Sequence, residues 1–303
     1  MDSATDSRPT TTAHTTPAWL STSFQPTPSL LLRSRSAPTL LIRHDAASQA
    51  RARLLAHPLV RGVGGSGETF HALRAMAAGR KVVLPLFWGF RKLDDARPGL
   101  HGAERHTMRA YIDLVASLGQ QCQSVLILAD EHARHNGIDE ATWRPYYAAV
   151  AEHAASLGLQ VRYLSDIFKS LGICRAGLEE AGRLLVERPR GEKREGAIRL
   201  TGGEWSQLKR HAEHLCKRFP EQFPPPRGES KKRALYDPRA LAYARFRAAE
   251  GQILLPRLTR AFDGAAVLPV HVTGPESERI GVRGLAIMAK DEHGANTVHI
   301  PWK

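Results

Sequence analysis

Cysteine is scarce in this sequence, with three residues in a chain of 303. Cys122, Cys174 and Cys216 stand far apart, so neither a disulfide framework nor a Cys-x-x-Cys metal knuckle can be drawn. This usage is typical of a reducing compartment, and we expect a cytoplasmic protein. No apolar run approaches the roughly 20 residues that cross a bilayer. We therefore expect no membrane partner.

Two catalytic signatures are also missing. The sequence contains no Gly-x-Ser-x-Gly elbow and no P-loop, which argues against an ordinary serine hydrolase and a P-loop kinase. Gly62-Val63-Gly64-Gly65-Ser66-Gly67 has the Gly-x-Gly-x-x-Gly spelling and precedes a predicted helix, Glu68 to Ala78. No convincing strand leads into it, so a phosphate loop and a flexible turn both stay open.

Positive charge is what the sequence has in excess. The formal net charge is +13 and the hydrophobic content is 42%, enough for a sizeable core. Such a charge attracts polyanions such as tRNA or phosphorylated substrates, although a genome rich in arginine codons gives the same composition. We expect no DNA partner and leave a homodimer open.

Composition divides the chain into three parts. Residues 1–38 are rich in Thr, Ser and Pro, and we expect them to be disordered. Residues 39–178 should form a Rossmann-like catalytic core, with order beginning at Thr39 to Arg43 and a helix over Ala46 to His57. Residues 179–303 should complete the same domain.

Strand-like and helix-like patterns alternate through the core. Apolar strand runs are Lys81 to Phe87, Ser124 to Ala129 and Leu159 to Leu164, and the helical patterns between them are Gly102 to Leu118 and Thr142 to Leu157. This alternation predicts an α/β fold with a parallel sheet flanked by helices. Ligands should then bind beyond the carboxyl ends of the strands.

The last third of the chain has a different pattern. Glu179 to Arg233 is basic and should be mostly helical, and its charges can be a solvated face or a polyanion-binding surface. A helix should follow at Pro238 to Ala249. Three later runs, Ala266 to Val272, Ile280 to Ala289 and Asn296 to Trp302, predict a C-terminal antiparallel β extension.

A polar cluster follows the second apolar strand directly. Its members are Asp130, Glu131, His132, His135 and Asn136. At the end of a buried strand such groups face a crevice, so we expect catalysis or substrate binding there. His132-x-x-His135 lacks the helical spacing of the zinc proteases, and we expect neither a metal nor a cofactor.

Further candidate residues lie near the neighbouring strand ends and on the C-terminal strands: Arg91, Lys92, Glu104, Arg105, His271 and Arg283. Arg91 and Lys92 could bind phosphate or activate a carbonyl. Glu104 and Arg105 open a helix beside the same crevice, although a glutamate there is also favoured by the helix dipole. His271 and Arg283 could close over the site or pack at the core edge.

Several motifs from Lys81 onward resemble the pyoverdine/dityrosine biosynthesis family, the isonitrile synthases. The matching segments are Leu84-Pro85-x-Phe87, Ala103-Glu104-Arg105, Ala129-Asp130-Glu131, Gly137-Ile138 with Tyr146, Val270-His271-Val272, Arg279-Ile280-Gly281-Val282-Arg283 and Ile300-Pro301-Trp302-Lys303. Their order and approximate spacing follow the family. Gly89-Phe90-Arg91-Lys92, Asp130-Glu131-His132 and Lys303 depart from its pattern.

The resemblance implies a reaction in which an amino acid's nitrogen is joined to a carbon from a sugar-phosphate ketone, giving an isonitrile. It implies that Lys92 or Arg91 engages the carbonyl or phosphate, and that Asp130 and Glu104 transfer protons. The substrates would be an amino acid and a sugar phosphate.

A second class stays open, because the stretch from Asp130 to Asn136 and the basic helices also resemble tRNA-dependent cyclodipeptide synthases. Their partner would be aminoacyl-tRNA, which the positive charge suits. The nucleophilic serine of that family is absent from Leu84 to Lys92. A basic RNA-binding protein without catalysis is a third reading, but it leaves the acidic and imidazole cluster unexplained.

Overall fold

The computed structural model describes residues 37–89, 100–187, 198–200, 202–218, 223–224, 237–273 and 284–297. Its helices are α1 (Ala37–Ala56), α2 (Gly67–Ala77), α3 (Gly102–Ser117), α4 (Asp130–His135), α5 (Glu140–Ser156), α6 (Leu164–Ser170), α7 (Arg175–Leu184), α8 (Gly202–Arg218), α9 (Pro238–Ile253) and α10 (Leu258–Ala261). Its strands are β1 (Val60–Val63), β2 (Val82–Trp88), β3 (Cys122–Leu128), β4 (Gln160–Tyr163), β5 (Leu185–Glu187), β6 (Ile198–Leu200), β7 (Ala266–Val267), β8 (Val270–Thr273), β9 (Leu285–Lys290) and β10 (Asn296–Thr297).

The predicted parallel α/β sheet is confirmed. Its strand order is β1-β9-β8-β2-β3-β4, with β7 beside β2 and β10 beside β9. Strands β2, β3, β4, β7, β8 and β9 run parallel, so their carboxyl ends point to one edge of the sheet. We call this the carboxyl edge. Buried parallel strands have continuous apolar sequences, which is why β2 and β3 could be predicted from the sequence.

The central strand β2 contains a proline, and a tyrosine hydroxyl supplies hydrogen bonds between β2 and β3 beside it. Pro85 pairs with Val125 of β3 but has no N–H to give to the ladder. The Tyr111 hydroxyl, brought in by α3, donates to the Leu84 carbonyl oxygen and accepts from the Val125 N–H at 3.1 Å. Burial raises the pKa of this hydroxyl, so it stays a donor. The strands β2 and β3 are therefore joined through a side chain at this point.

Helices cover both faces of the sheet, because successive strand residues point to opposite sides. Leu84, Leu86 and Trp88 pack on the face covered by α1, α2, α3 and α5, which we call the α3 face. Val83 and Phe87 pack on the opposite α9 face, with α6, α7, α9 and α10. Helix α8 packs on the outer side of α9 around Leu208, Ala212 and Leu215.

The C-terminal strands differ in part from the expectation. An antiparallel extension is confirmed where β10 pairs with β9, and β1 also pairs antiparallel with β9. The runs around Ala266–Val272 and Leu285–Ala289, expected in the same extension, instead pair parallel inside the main sheet. Gly284 allows this, because a Cβ there would lie 2.2 Å from the Pro269 carbonyl oxygen and its φ is +107°.

Three further expectations are corrected within the described residues. The helix expected over Ala46 to His57 begins earlier, at Ala37, and includes Thr39 to Arg43. A strand, β1, does lead into the Gly62–Gly67 segment. The segment expected to be mostly helical also contains the short parallel pair β5 and β6.

The remaining expectations on the tail, residues 1–36, lie outside the described residues, as do most of the basic clusters between 188 and 233. Among the residues that the structure does describe, no helix has the length and apolar content needed to span a membrane.

Candidate active site

Three neighbouring strands, β8, β2 and β3, bring side chains of the predicted site and motifs to the carboxyl edge. His271 lies on β8, Phe87 near the end of β2, and Asp130 follows β3 after Ala129, as the first residue of α4. The Phe87 and His271 rings stack with centroids 5.9 Å apart and planes 13° from parallel. Residues from distant parts of the chain are thus joined at the position where α/β folds bind ligands.

On the α3 face of the carboxyl edge, three buried side chains are linked by hydrogen bonds. The Trp88 indole N–H donates to the Tyr146 hydroxyl at 2.9 Å, and that hydroxyl donates to Glu104 Oε1. Glu104 Oε2 accepts the His101 N–H at 2.9 Å, which caps α3. Burial raises the pKa of Tyr146 well above its ordinary value, and Glu104 raises it further. We call Trp88, Tyr146 and Glu104 the hydroxyl chain.

Asp130 and Glu131 hold an arginine beside the end of β3. Asp130 is 1% exposed, and its Oδ1 accepts the Ser165 N–H of α6 at 3.0 Å. Its Oδ2 lies 3.4 Å from Arg134 Nη1, which also donates to Glu131 Oε1 at 2.6 Å. Asp130 therefore joins α4 to α6 and orients Arg134.

On the α9 face, His132 reaches a charged cluster carried by α9. His132 Nε2 lies 2.9 Å from Glu250 Oε1, and Arg247 Nη1 donates to Glu250 Oε2 at 2.6 Å. His132 Nδ1 lies 3.4 Å from the Tyr243 hydroxyl. We call His132, Tyr243, Arg247 and Glu250 the α9 cluster.

The α9 cluster has a defined charge state. Burial alone would raise the pKa of Glu250, but the positive charge of Arg247 and the interaction with His132 outweigh it and lower the pKa to about 2. The charge of His271 also lowers it, which connects β8 to this cluster. Burial lowers the pKa of His132 below its ordinary value, so the imidazole is neutral at pH 7.

Aromatic rings pack around the α9 cluster. His135 stacks on Phe246 with ring centroids 4.3 Å apart, and its Nδ1 lies 3.0 Å from Glu179 Oε1. The His132 and Tyr243 rings form a T-shaped contact, with their centroids 5.9 Å apart. These contacts fix the orientation of the histidine and tyrosine rings, so the nitrogen and oxygen atoms of those rings are held in place before any ligand binds.

The predicted site residues do not all come together. His132 belongs to the α9 cluster, the charge of His271 lowers the pKa of Glu250 in that cluster, and Asp130 and Glu131 lie on the same helix as His132. Glu104 lies in the hydroxyl chain on the other face. Arg105 is exposed and its Nε donates to the Leu100 carbonyl oxygen, and half-buried Asn136 is the C-cap of α4. Arg91, Lys92 and Arg283 lie outside the described residues.

Four residues of the site were missed from the sequence: Trp88, Tyr243, Arg247 and Glu250. Tyr243, Arg247 and Glu250 follow the spacing i, i+4, i+7, which places them on one face of a helix. That polar stripe within an alanine-rich helix was the available signal. It could not show that the stripe faces His132, 118 positions away from Glu250.

The Gly62–Gly67 segment lies away from this site. Strand β1 runs antiparallel to β9, so the segment is at the opposite, amino edge of the sheet. There the Ser66 hydroxyl accepts the Thr69 N–H at 3.2 Å and caps α2 beside a cavity of about 290 Å³. Among the described residues, no group of three or more His, Cys, Asp or Glu side chains could hold a metal ion.

The sequence matches no protein-family model and no curated protein. Among solved structures, the chain is similar to the PvcA protein from Pseudomonas aeruginosa, with 14% sequence identity and a TM-score of 0.45. The match covers 80% of this chain and 92% of that chain. At this level of similarity, function has to be argued from the site itself.

Proposed function

We propose that the protein is a biosynthetic enzyme that joins the nitrogen of an amino acid to a carbon from a sugar-phosphate ketone, giving an isonitrile. One observation carries the proposal: segments that resemble the isonitrile synthases contact one another in pairs at the carboxyl edge. Phe87 stacks on His271, and Tyr146 donates to Glu104. Motifs that are distant in sequence are therefore adjacent in space, as residues that line or support one active site must be.

The charges at this edge suit anionic substrates. Arg134 and Arg247 each keep about a third of the side chain exposed, 34% and 31%, while buried carboxylates hold their positions. A guanidinium fixed in this way binds carboxylate or phosphate in defined geometry. We propose that these two arginines attract the substrate carboxylate and the sugar phosphate.

The first chemical step needs a base. An amino acid carries an ammonium group at neutral pH, and only the free amine can attack a ketone carbonyl. By the resemblance, Asp130 and Glu104 transfer protons, and both roles stay predictions. Lys92 and Arg91, which would engage the carbonyl or phosphate, lie outside the described residues.

A direct test combines isotopes with product analysis. The protein is incubated with a mixture of amino acids and a pentulose phosphate that is fully ¹³C-labelled. The proposal expects a product that is one mass unit heavier than with unlabelled sugar, because a single carbon is transferred. A product that keeps several labelled carbons, or no sugar-dependent product from any amino acid, would contradict it.

A second function is supported by charge. The formal net charge is +13, and α8 exposes Arg210 and Lys217 beside Lys209, which lies over the Trp205 ring at 5.5 Å. Such a surface favours tRNA, as a cyclodipeptide synthase would need. Binding should then weaken steeply with salt because phosphate contacts release counterions. If no association with tRNA is detected at low salt, this alternative is removed.

A further inference from the structure

Three side chains of the α9 cluster stand in a line that can move a proton. The Tyr243 hydroxyl lies 3.4 Å from His132 Nδ1, and His132 Nε2 lies 2.9 Å from Glu250 Oε1. Glu250 and His132 are buried, and Tyr243 is half-buried. The line therefore runs from a carboxylate inside the protein to a hydroxyl nearer its surface.

The protonation state of His132 follows from its neighbours. Arg247 Nη1 lies 2.9 Å from His132 Nε2 and could donate to it, which would leave the lone pair of Nε2 facing ionised Glu250. Glu250 can instead accept from both groups, with Oε2 taking the Arg247 N–H at 2.6 Å and Oε1 the His132 N–H. Charge-assisted bonds of this kind are the stronger ones. His132 then carries its proton on Nε2, and its Nδ1 lone pair faces the Tyr243 hydroxyl and Arg247 Nη1, each 3.4 Å away.

We propose that Tyr243, His132 and Glu250 form a proton relay in which the Tyr243 hydroxyl removes the ammonium proton of the amino-acid substrate. The inference rests on the proposed function, because it assigns the base for that reaction. Tyr243 is the catalytic residue that touches the substrate. His132 acts through Tyr243, and Glu250 positions His132.

The step balances without any co-reactant. The ammonium N–H bond breaks and its proton passes to the Tyr243 oxygen, while the Tyr243 O–H bond breaks and its proton passes to His132 Nδ1. The freed nitrogen lone pair attacks the ketone carbon. One of the remaining protons on the nitrogen passes to the former carbonyl oxygen, which gives a carbinolamine. The imidazolium is stabilised by Glu250, and the relay returns its proton to the carbinol oxygen, which leaves as water and gives the protonated imine.

The surroundings of His132 set the pH at which the relay operates. Glu250, Arg247 and Tyr243 face it from α9, and His135 lies on its own helix. His271 on β8 acts on Glu250. Burial holds the pKa of His132 below its ordinary value, which keeps the base free at neutral pH.

The test compares pH profiles of Tyr243→Phe with the unaltered enzyme. The variant keeps the ring but loses the proton path, so kcat at pH 7 should fall about 100-fold with little change in KM. Its rate should recover toward that of the unaltered enzyme as the pH rises and the amine loses its proton in solution. A purely structural role would lower activity equally at every pH.

Tyr163→Phe is the matched control, because it also removes a half-buried hydroxyl near the carboxyl edge, at the end of β4. It should keep kcat within about twofold at each pH, the usual outcome for a change outside the chemistry. The relay is wrong if Tyr243→Phe has the same profile as Tyr163→Phe.

A second measurement does not depend on turnover. In protein labelled with ¹⁵N in histidine, the His132 signals, identified by their loss in His132→Gln, should show a neutral ring with the proton on Nε2. Tyr243→Phe should move the Nδ1 signal, because it removes the hydroxyl hydrogen bond. A proton on Nδ1 would overturn the relay. If no isonitrile forms but the Nε2–H signal is present, the proposed function fails and the proton path remains.

Discussion

The two faces of the sheet meet at the same carboxyl edge but end in different polar structures. On the α3 face, the Tyr146 hydroxyl lies between Trp88 and Glu104, and all three side chains are buried. On the α9 face, half-buried Tyr243 contacts a histidine that is backed by an ion pair. The same residue type therefore stands in two environments.

We infer from this difference that the hydroxyl chain holds the structure together and that the α9 cluster carries out the chemistry. In the hydroxyl chain, Tyr146 is kept protonated by its raised pKa and joins β2, α3 and α5. In the α9 cluster, a neutral imidazole with a lowered pKa stands next to a hydroxyl, which is the arrangement that acid–base catalysis uses. The predictions below test this contrast.

The largest effect is expected at Asp130, which joins α4 to α6 beyond the end of β3. Asp130→Asn keeps the shape and the oxygen that accepts from Ser165 but removes the charge that holds Arg134. A role in the chemistry predicts a fall in turnover of about 10² or more with the fold retained.

Asp139→Asn is the matched control for Asp130→Asn. Asp139 caps α5 by accepting from the Ala141 N–H, and asparagine caps as well as aspartate. Near-normal turnover of folded Asp130→Asn would show that the site does not depend on this strand end.

Acid should destabilise the protein through the α9 cluster. The folded pKa values of His132 and Glu250 are lowered, so the unfolded chain binds more protons and stability falls as the pH falls. The loss should begin near 6.5, the ordinary pKa of histidine, and continue from 4.5, that of glutamate, toward about 2. The glutamate part is on the order of 3 kcal/mol.

Denaturant unfolding at several pH values measures this loss. In Glu250→Gln, the decline between pH 4.5 and 2 should be much smaller than in the unaltered protein. Parallel curves for the two proteins would mean that Glu250 is not the group responsible.

A smaller effect is expected in the hydroxyl chain. Glu104→Gln replaces one carboxylate oxygen with an NH₂ group. The two side-chain positions can then no longer accept from both the His101 N–H and the Tyr146 hydroxyl. Stability should fall by about 1–3 kcal/mol, the cost of a buried group without its partner.

Activity decides the role of Glu104. Glu104 contacts Tyr146 and His101 on the α3 face, whereas Asp130 contacts α6, so we expect folded Glu104→Gln to lose far less turnover than Asp130→Asn. An equal loss would mean that both carboxylates line one pocket and that Glu104 transfers protons, as the family resemblance implies.

The sequence predicted the parts of the fold whose causes are local. The strands β2 and β3 are continuous apolar runs because both of their faces are covered, and the intervening helix α3 has a clear period of apolar residues. Strand β1 was missed because Val60-Arg61-Gly62-Val63 is short and contains glycine. Pairing direction at the C-terminus depends on contacts that no local pattern contains.

The candidate site was predicted in part for the same reason. His132 was visible because it follows an apolar strand, and His271 because of the motif around it. Tyr243 and Glu250 lie within a helix, where polar residues usually face solvent. Only the packing of α9 against α4 shows that they face His132.

The most direct test of the contrast is the same substitution on both faces, with turnover and unfolding free energy measured on each variant. Tyr146→Phe should lose about 2 kcal/mol of stability, since the Trp88 N–H and Glu104 lose their shared partner, while its folded fraction stays active. Tyr243→Phe should lose less than about 1 kcal/mol but about 100-fold in turnover at pH 7. If Tyr146→Phe abolishes turnover while Tyr243→Phe remains active, the chemistry lies on the α3 face and the account is wrong.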